Sequence, residues 1–496
     1  MMLNYTYIAQ GLAVEFPIVI NKQSTLPIFL QIVAALKAMI EDKRLPVGTK
    51  LPSTADLGKS LSLNRLTIVK AYDELLAAGY IVTRPGAGSF VSDRVQKRQL
   101  LLDSKNLTMS ESSNNKLSDF AKSLLLQKIS QNSFSEMYKF NYGGAAAEML
   151  PGTVWKTILL NQCRDITLTK LESSPEAFGL YACRKAICDY LNRTKGLKCS
   201  PEQIIVYSGS QQPLNYLANI LCQPGDRIAV EEPSYFGALN NAAFEKAQLH
   251  EIEIDDDGMI VAQLDRFNDV KLVYTSPSYQ DPSGIMMSLE RRKQLLNWAQ
   301  NNDALIIEDG WDSDYCYTAP ALPAIQGMDQ SNRTFYIYSF WKLLYPLLTV
   351  SVLVVPPQFI EIFEIVKTQT EKQFSLLEQR ALATFIEEGH LERHLRKTKR
   401  IYNDRRKTLI EQLVFSLRGT VSIPKQSAGL HMTVRFDKKY NSQNLEEAAK
   451  EAALPFISTR AYYRQKPVVN EYLIPFALLE EEDLRKRTKN FCRLLG

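Results

Sequence analysis

Lys342 lies in the run YSFWKLLYP. Flanked by Trp341, Leu343 and Leu344, its amine can be desolvated, a setting that suits an imine with an aldehyde. Asp309 closes the apolar run of IIEDGWDSD, at an expected strand end. A buried carboxylate there can hold a pyridine nitrogen protonated. Tyr235, in EEPSYFG, offers a ring that can stack on a flat heterocycle. The small residues of SGSQQ, Ser208–Gln212, fall between a strand and a helix, so their backbone N–H groups can face a phosphate. SPSYQDPSG, Ser276–Gly284, is another strand-end segment. Open α/β sheets bind ligands at such ends.

A different chemistry is written near the N-terminus. Arg65 and Thr67 open a helical run, and Arg can form two hydrogen bonds to a guanine edge. Lys70 and the helix N-terminus suit phosphate contacts, which set register rather than sequence. Gly86 and Gly88, in a hairpin tip, let backbone approach a sugar-phosphate surface. Between Ser24 and Val95 nine Lys and Arg face six Asp and Glu, a net +3 out of +5 for the chain. That concentration fits a nucleic-acid partner.

The elements that must position these residues follow from periodicity. Pro27–Asp42 has apolar residues at helical spacing: Phe29, Ile32, Val33, Leu36 and Ile40. Ser53 can cap a second helix to about Leu61, and Asn64 can cap a third, ended by Gly79. Ile68, Tyr72, Leu75 and Leu76 are expected on its buried face. YIVTR, PGAG and SFVS then form a short hairpin, completing a winged helix-turn-helix. The polar stretch 96–135 reads as a linker. Beyond Tyr138, short apolar strands alternate with helices, as in an α/β domain with a mostly parallel sheet. Pro356 to about Arg418 is helical, and an α+β segment ends the chain. The division is thus an N-terminal extension (1–23), a DNA-binding domain (24–95), a linker (96–135) and a large domain (136–496).

Other classes are excluded or weak. The seven cysteines are odd in number and scattered, with no Cys-x-x-Cys, so neither a disulfide framework nor a zinc site is expected. Reduced thiols in the cytoplasm are the simple account. Met1–Ile20 lacks the pattern of a secretory signal, and no run is apolar enough to span a membrane. His390 and His394 are one helical turn apart, but with no third ligand suggested, a helix-surface role is expected and no metal.

The segments PIFLQI, LPVGTKLPS, LNRLTIVKAYDELLAAGYI and GAGSFV resemble the GntR family of DNA-binding regulators. LYACRKAICDYLNRTKG, PGDRIAVEEPSY, MSLERRKQLLNWA, LEQRALATFIEEGHLERHLRKTKRIY and SAGLH, with the motifs above, resemble fold-type I aminotransferases, and the order of modules resembles the MocR group. The resemblance implies an operator in double-stranded DNA, read by Asn64, Arg65, Thr67, Lys70 and Gly88. It implies pyridoxal 5'-phosphate held as a Schiff base by Lys342, with Asp309 on the ring nitrogen and Tyr235 stacked on the ring. Ser210, Gln211 and Ser339 would hold its phosphate. It further implies a homodimer, with each winged helix near the partner's large domain, and a small-molecule effector.

This chain departs from the pattern. Ala55 stands where the family has a DNA-contacting Arg, and Thr349 where it has the phosphate-binding Arg. Leu473 and Pro475 fall where a late Arg binds a substrate carboxylate. Trp311 replaces a Tyr, Tyr279 a His, and Asp281 follows Gln280. No catalytic residue is therefore assigned. The expected function is a transcription regulator that senses pyridoxal phosphate or a related amine or amino acid. The alternatives are an aminotransferase with an appended DNA-binding module and a cofactor-free dimerisation scaffold.

Overall fold

The computed structural model describes residues 2–9, 12–21, 24, 26–93, 146–165, 176–209, 211–239, 247–311, 313–317, 322–371, 375–424 and 428–496. The chain divides into two compact units, Met1–Lys122 and Ser123–Gly496. The expected linker, 96–135, lies outside the described residues.

In the first unit, helices α1 (Ile28–Glu41), α2 (Thr54–Ser60) and α3 (Arg65–Ala77) precede the hairpin of β3 (Ile81–Arg84) and β4 (Gly88–Val91). The caps are the expected ones. Ser53 Oγ accepts from the Asp56 amide, and Asn64 Oδ1 accepts from the Leu66 amide. Each satisfies an N–H that the helix leaves open. Ile32, Leu36, Leu57, Ile68, Leu75 and Val91 join in one core. Tyr72 is buried there and donates its hydroxyl to the Pro52 carbonyl. Leu76 departs from expectation, being 45% exposed. At about 100° per residue it is one step past Leu75, and Ala71 fills the buried face instead. The first 23 residues, read only as an extension, hold an antiparallel hairpin of β1 (Met2–Ala9) and β2 (Leu12–Val19). Ile18 of β2 is buried in the reader's core.

The second unit is built on an eight-stranded sheet ordered β5-β12-β11-β10-β9-β6-β7-β8. These strands are β5 (Ile204–Ser208), β6 (Arg227–Glu232), β7 (Gln248–Asp255), β8 (Gly258–Met259), β9 (Val270–Thr275), β10 (Leu305–Asp309), β11 (Thr334–Ser339) and β12 (Val350–Val354). From β7 through β11 the pairing is parallel, while β12 runs antiparallel to both neighbours and β8 to β7. Alternate residues of β5, β11 and β12 feed two cores. Val206, Tyr336, Tyr338 and Val352 point to one, and Ile205, Tyr207, Ile337 and Leu353 to the other. Both faces are therefore covered, as a largely parallel sheet requires.

Helix α4 (Tyr181–Lys195) lies on the first of these cores, and the long helix α5 (His390–Ser416) leads to a four-stranded antiparallel sheet. That sheet contains β13 (Val421–Ser422), β14 (Met432–Phe436), β15 (Ile457–Ser458) and β16 (Glu471–Ile474), and it is the expected α+β segment. No helix among the described residues is long and apolar enough to cross a membrane.

Candidate functional site

Strands β5, β6, β9, β10 and β11 end on one edge of the large sheet, and β12 begins there. Asp309 and Ser339 are the last residues of β10 and β11, and Gly209 follows β5. Lys342 sits in the helical turn Trp341–Leu344 that leaves β11. Its side chain is 1% exposed, with Nζ 4.1 Å from the centre of the Trp311 ring and 5.5 Å from that of Tyr279. Aromatic faces attract an ammonium, more so where water is excluded.

Asp309 is bound from both sides. Oδ2 accepts from the Tyr274 hydroxyl at 2.6 Å and Oδ1 from the Trp311 amide at 3.0 Å. Burial nevertheless pushes its pKa up to about 6, against the pull of those bonds and of the Lys342 charge. Tyr235 accepts from Gln211 Nε2 at 2.6 Å, and its ring lies 5.1 Å from Trp311. Of the expected ligand residues, Lys342, Asp309 and Tyr235 thus converge around Trp311. Tyr235, Tyr274, Tyr279, Asp281, Asp309 and Trp311 enclose a cavity of only about 10 Å³.

The expected phosphate side differs in character. Ser339 Oγ is buried and accepts from the Trp341 amide at 3.2 Å. The Gly209 amide donates to the Thr349 carbonyl at 2.6 Å, and Ser351 Oγ donates to the Gly209 carbonyl at 2.7 Å. Ser210 lies outside the described residues. Gln211 spends its amide on Tyr235. None of these residues, nor Thr349, carries a positive charge.

Two groups were missed in the sequence. His431, from SAGLH, meets the Tyr279 hydroxyl through Nε2 and lies 3.6 Å from Asp281 Oδ1. Gly429 explains the glycine of that motif. It has φ +93°, and a Cβ there would fall 2.1 Å from the Tyr279 ring. Glu231, on β6, is fully buried and accepts from Thr275 Oγ1, Ser276 and Gln280, while burial raises its pKa. The alternation of β6 gave no sign that Glu231 faces inward rather than toward solvent.

Leu473 is wholly buried with Ile457 and Tyr462, and Arg435 on the neighbouring strand is held by Glu471 at 2.5 Å. The expectation for the histidines needs correction. His390 is bound by Glu388 at 2.9 Å, but His394 is buried rather than on the helix surface, and burial lowers its pKa to about 4. No cluster of three potential metal ligands occurs among the described residues.

In the first unit, Arg65 is exposed at the start of α3, with Nε 3.4 Å from Thr54 Oγ1 of α2. Thr67 is half-buried, and the Lys70 ammonium lies 4.3 Å over the Phe29 ring. Asn64 is occupied as the cap. Gly88 has φ +106° at the hairpin tip. Sequence reasoning passed over Leu66, 73% exposed beside Arg65, which could meet a thymine methyl group. It also passed over the exposed Lys50 and Arg84 around the hairpin. Ala55 is exposed in the first turn of α2, without a polar group to offer DNA.

The class I and II aminotransferase family matches residues 163–473, and the bacterial regulatory GntR family matches residues 29–91. The chain belongs to the class I and II aminotransferases and carries a GntR-family helix-turn-helix. This two-module order is that of MocR-type regulators. A probable rhizopine catabolism regulatory protein MocR from Rhizobium meliloti is 29% identical, over 95% of this chain and 94% of its own. The HTH-type pyridoxine biosynthesis transcriptional regulator PdxR from Corynebacterium glutamicum is 26% identical, over 86% of each. Among solved structures, a kynurenine aminotransferase from Pyrococcus horikoshii aligns with a TM-score of 0.65 and 24% identity, covering 80% of this chain and 98% of its own. It shares the aminotransferase fold of the second unit.

Proposed function

We propose that this MocR-type regulator binds operator DNA through α3 and senses a pyridoxal-type or amine ligand at Lys342. The observation that carries the reading is the convergence of Lys342, Asp309 and three aromatic rings at the ligand-binding edge of the sheet, in a chain that also has a GntR-family reader. The two relatives described above are regulators by name, one of them a transcriptional regulator.

Pyridoxal phosphate is the cofactor of this fold family. The residue types present suit its ring and aldehyde: a buried amine, a carboxylate for the ring nitrogen, and Tyr235 for the ring face, and the cavity of about 10 Å³ between them must open for a ring to enter. When bound, the group would supply an electron-accepting ring. Lys342 would hold it covalently, Asp309 would keep the ring nitrogen protonated, and Ser210, Gln211 and Ser339 would meet the phosphate. Ser210, Gln211, Ser339 and Thr349 are all uncharged, so these positions give the phosphate no charge-assisted contact and the group should bind weakly.

The site is better suited to sensing than to amino-group transfer. A substrate carboxylate wants a buried arginine, whereas Leu473 is apolar and Arg435 is engaged by Glu471. A homodimer would present two readers to two half-sites, and a ligand would act by favouring one dimer arrangement over another. Such a protein works in the cytoplasm, beside the genome.

The test is a visible spectrum of the full chain titrated with pyridoxal phosphate, alongside Lys342→Ala. A new band in the wild type that the variant lacks is expected. No band at any concentration would overturn the Lys342 assignment, and efficient turnover of amino acids would overturn sensing in favour of an enzyme.

A further inference from the structure

Cys188 and Cys199 are brought together from the middle of α4 and the loop that follows it. Their sulfurs are 3.8 Å apart. Cys188 is buried, while Cys199 is half-buried. The contact is built rather than incidental, because Asn192 ties the loop back onto the helix. Its Oδ1 accepts from the Cys199 amide at 3.2 Å, and its Nδ2 donates to the Cys199 carbonyl at 2.9 Å. The same Nδ2 lies 3.4 Å from Cys188 Sγ.

The contact between the two sulfurs, in which either can donate, and secondarily Asn192, hold the Cys188 thiol below its ordinary value. The same bond, with burial, pushes Cys199 up. Of the two, Cys188 is the readier to ionise to the thiolate, the nucleophilic form. The other keeps a proton to give up when a leaving group departs.

We propose that Cys188 and Cys199 are a modification site: a dithiol that hydroperoxides oxidise to a disulfide. A thiolate attacks the peroxide, forming S–O and breaking O–O, and leaves a sulfenic acid with water or an alcohol released. The second sulfur then attacks the sulfenic sulfur. The S–S bond forms, S–O breaks, and the departing hydroxide takes the second thiol's proton as water. Two thiols are oxidised by two electrons and one hydroperoxide is reduced. Closing from 3.8 Å to the roughly 2.05 Å of a disulfide asks for side-chain rotation and a small movement of the loop. The step depends on neither the Lys342 ligand nor DNA.

The end of α4 that the bond would clamp is already anchored in the large domain. Lys195 Nζ binds Asp314 Oδ1 at 2.5 Å, and Tyr190 and Tyr338 donate to the same carboxylate. The disulfide would therefore fix the loop onto a rigid helix rather than onto a mobile one.

The experiment is peptide mapping of the reduced full chain after brief treatment with hydrogen peroxide, with remaining thiols alkylated. A Cys188–Cys199 cross-linked peptide, reversed by dithiothreitol, is expected, with Cys163, the exposed cysteine, still alkylated in most molecules. In Cys199→Ser the cross-link should vanish and a sulfenic acid trapped by dimedone should appear at Cys188. Oxidation confined to Cys163, with Cys188 and Cys199 both still alkylated, would overturn the proposal. The wild-type map decides this even if the serine variant folds poorly.

Discussion

Thr349→Arg should restore a phosphate anchor beside the expected donors Ser210, Gln211 and Ser339, all of which are uncharged. The Thr349 carbonyl accepts from Gly209 at 2.6 Å, so position 349 borders the segment where β5 passes into its helix. Thr349 is half-buried, which leaves a longer side chain a path along the edge of the sheet. A hydrogen bond to a charged group is worth about 1.5–3 kcal/mol, and a bidentate guanidinium–phosphate contact falls toward the top of that range. The expected gain is therefore roughly tenfold to a hundredfold in affinity for pyridoxal phosphate. The assay is a titration of wild type and variant, followed by the visible band that Lys342→Ala lacks. Pyridoxal, with the same ring and aldehyde but no phosphate, is the control and should bind both proteins alike. If the variant folds and pyridoxal phosphate binds no more tightly, or pyridoxal tightens equally, the account of the phosphate side is wrong.

Arg65→Ala should weaken specific DNA binding by about tenfold or more, the loss of one bidentate base contact, with dimerisation intact; a gel shift against selected operator DNA measures it. Asp309 has its pKa raised to about 6, so its contribution to stability is fully present below its ordinary value and lost as pH rises through about 6. Asp309→Asn should therefore gain on the wild type in urea denaturation as pH is raised through that window, and parallel curves would contradict the burial argument. Gly429→Ala should cost at least about 1–2 kcal/mol from its left-handed backbone alone. It should also abolish the ligand band, because the new methyl collides with the Tyr279 ring; thermal melts and spectra check both.

Local chemistry was legible in the sequence, and long-range meetings were not. The caps Ser53 and Asn64, the glycine-tipped hairpin and the strand ends bearing Asp309 and Ser339 depend on neighbours a few residues away. Their motifs therefore located them. The partnership of Tyr279 with His431 joins residues 152 apart in the chain and exists only because the C-terminal sheet folds back on the strand ends. Nothing local to either residue encodes it. The placement of Trp311 over Lys342 was equally hidden, since two aromatic-rich turns on different strands must converge to create it. Leu76 shows a milder limit, for helical spacing names a face but a margin residue is settled by what packs opposite. The hairpin of β1 and β2 was missed although Leu3, Tyr5 and Tyr7 alternate with Asn4 and Thr6 as a strand's residues do, because the segment was read only as an extension.

The central claim is that occupancy at Lys342 alters DNA binding. The direct measurement is the affinity of the full-length wild type and of Lys342→Ala for selected operator DNA at fixed salt, with and without saturating pyridoxal phosphate. The account predicts that the ligand shifts wild-type affinity or footprint and leaves the variant unchanged. Identical responses in the two proteins would contradict it and leave the large domain as a scaffold for dimerisation.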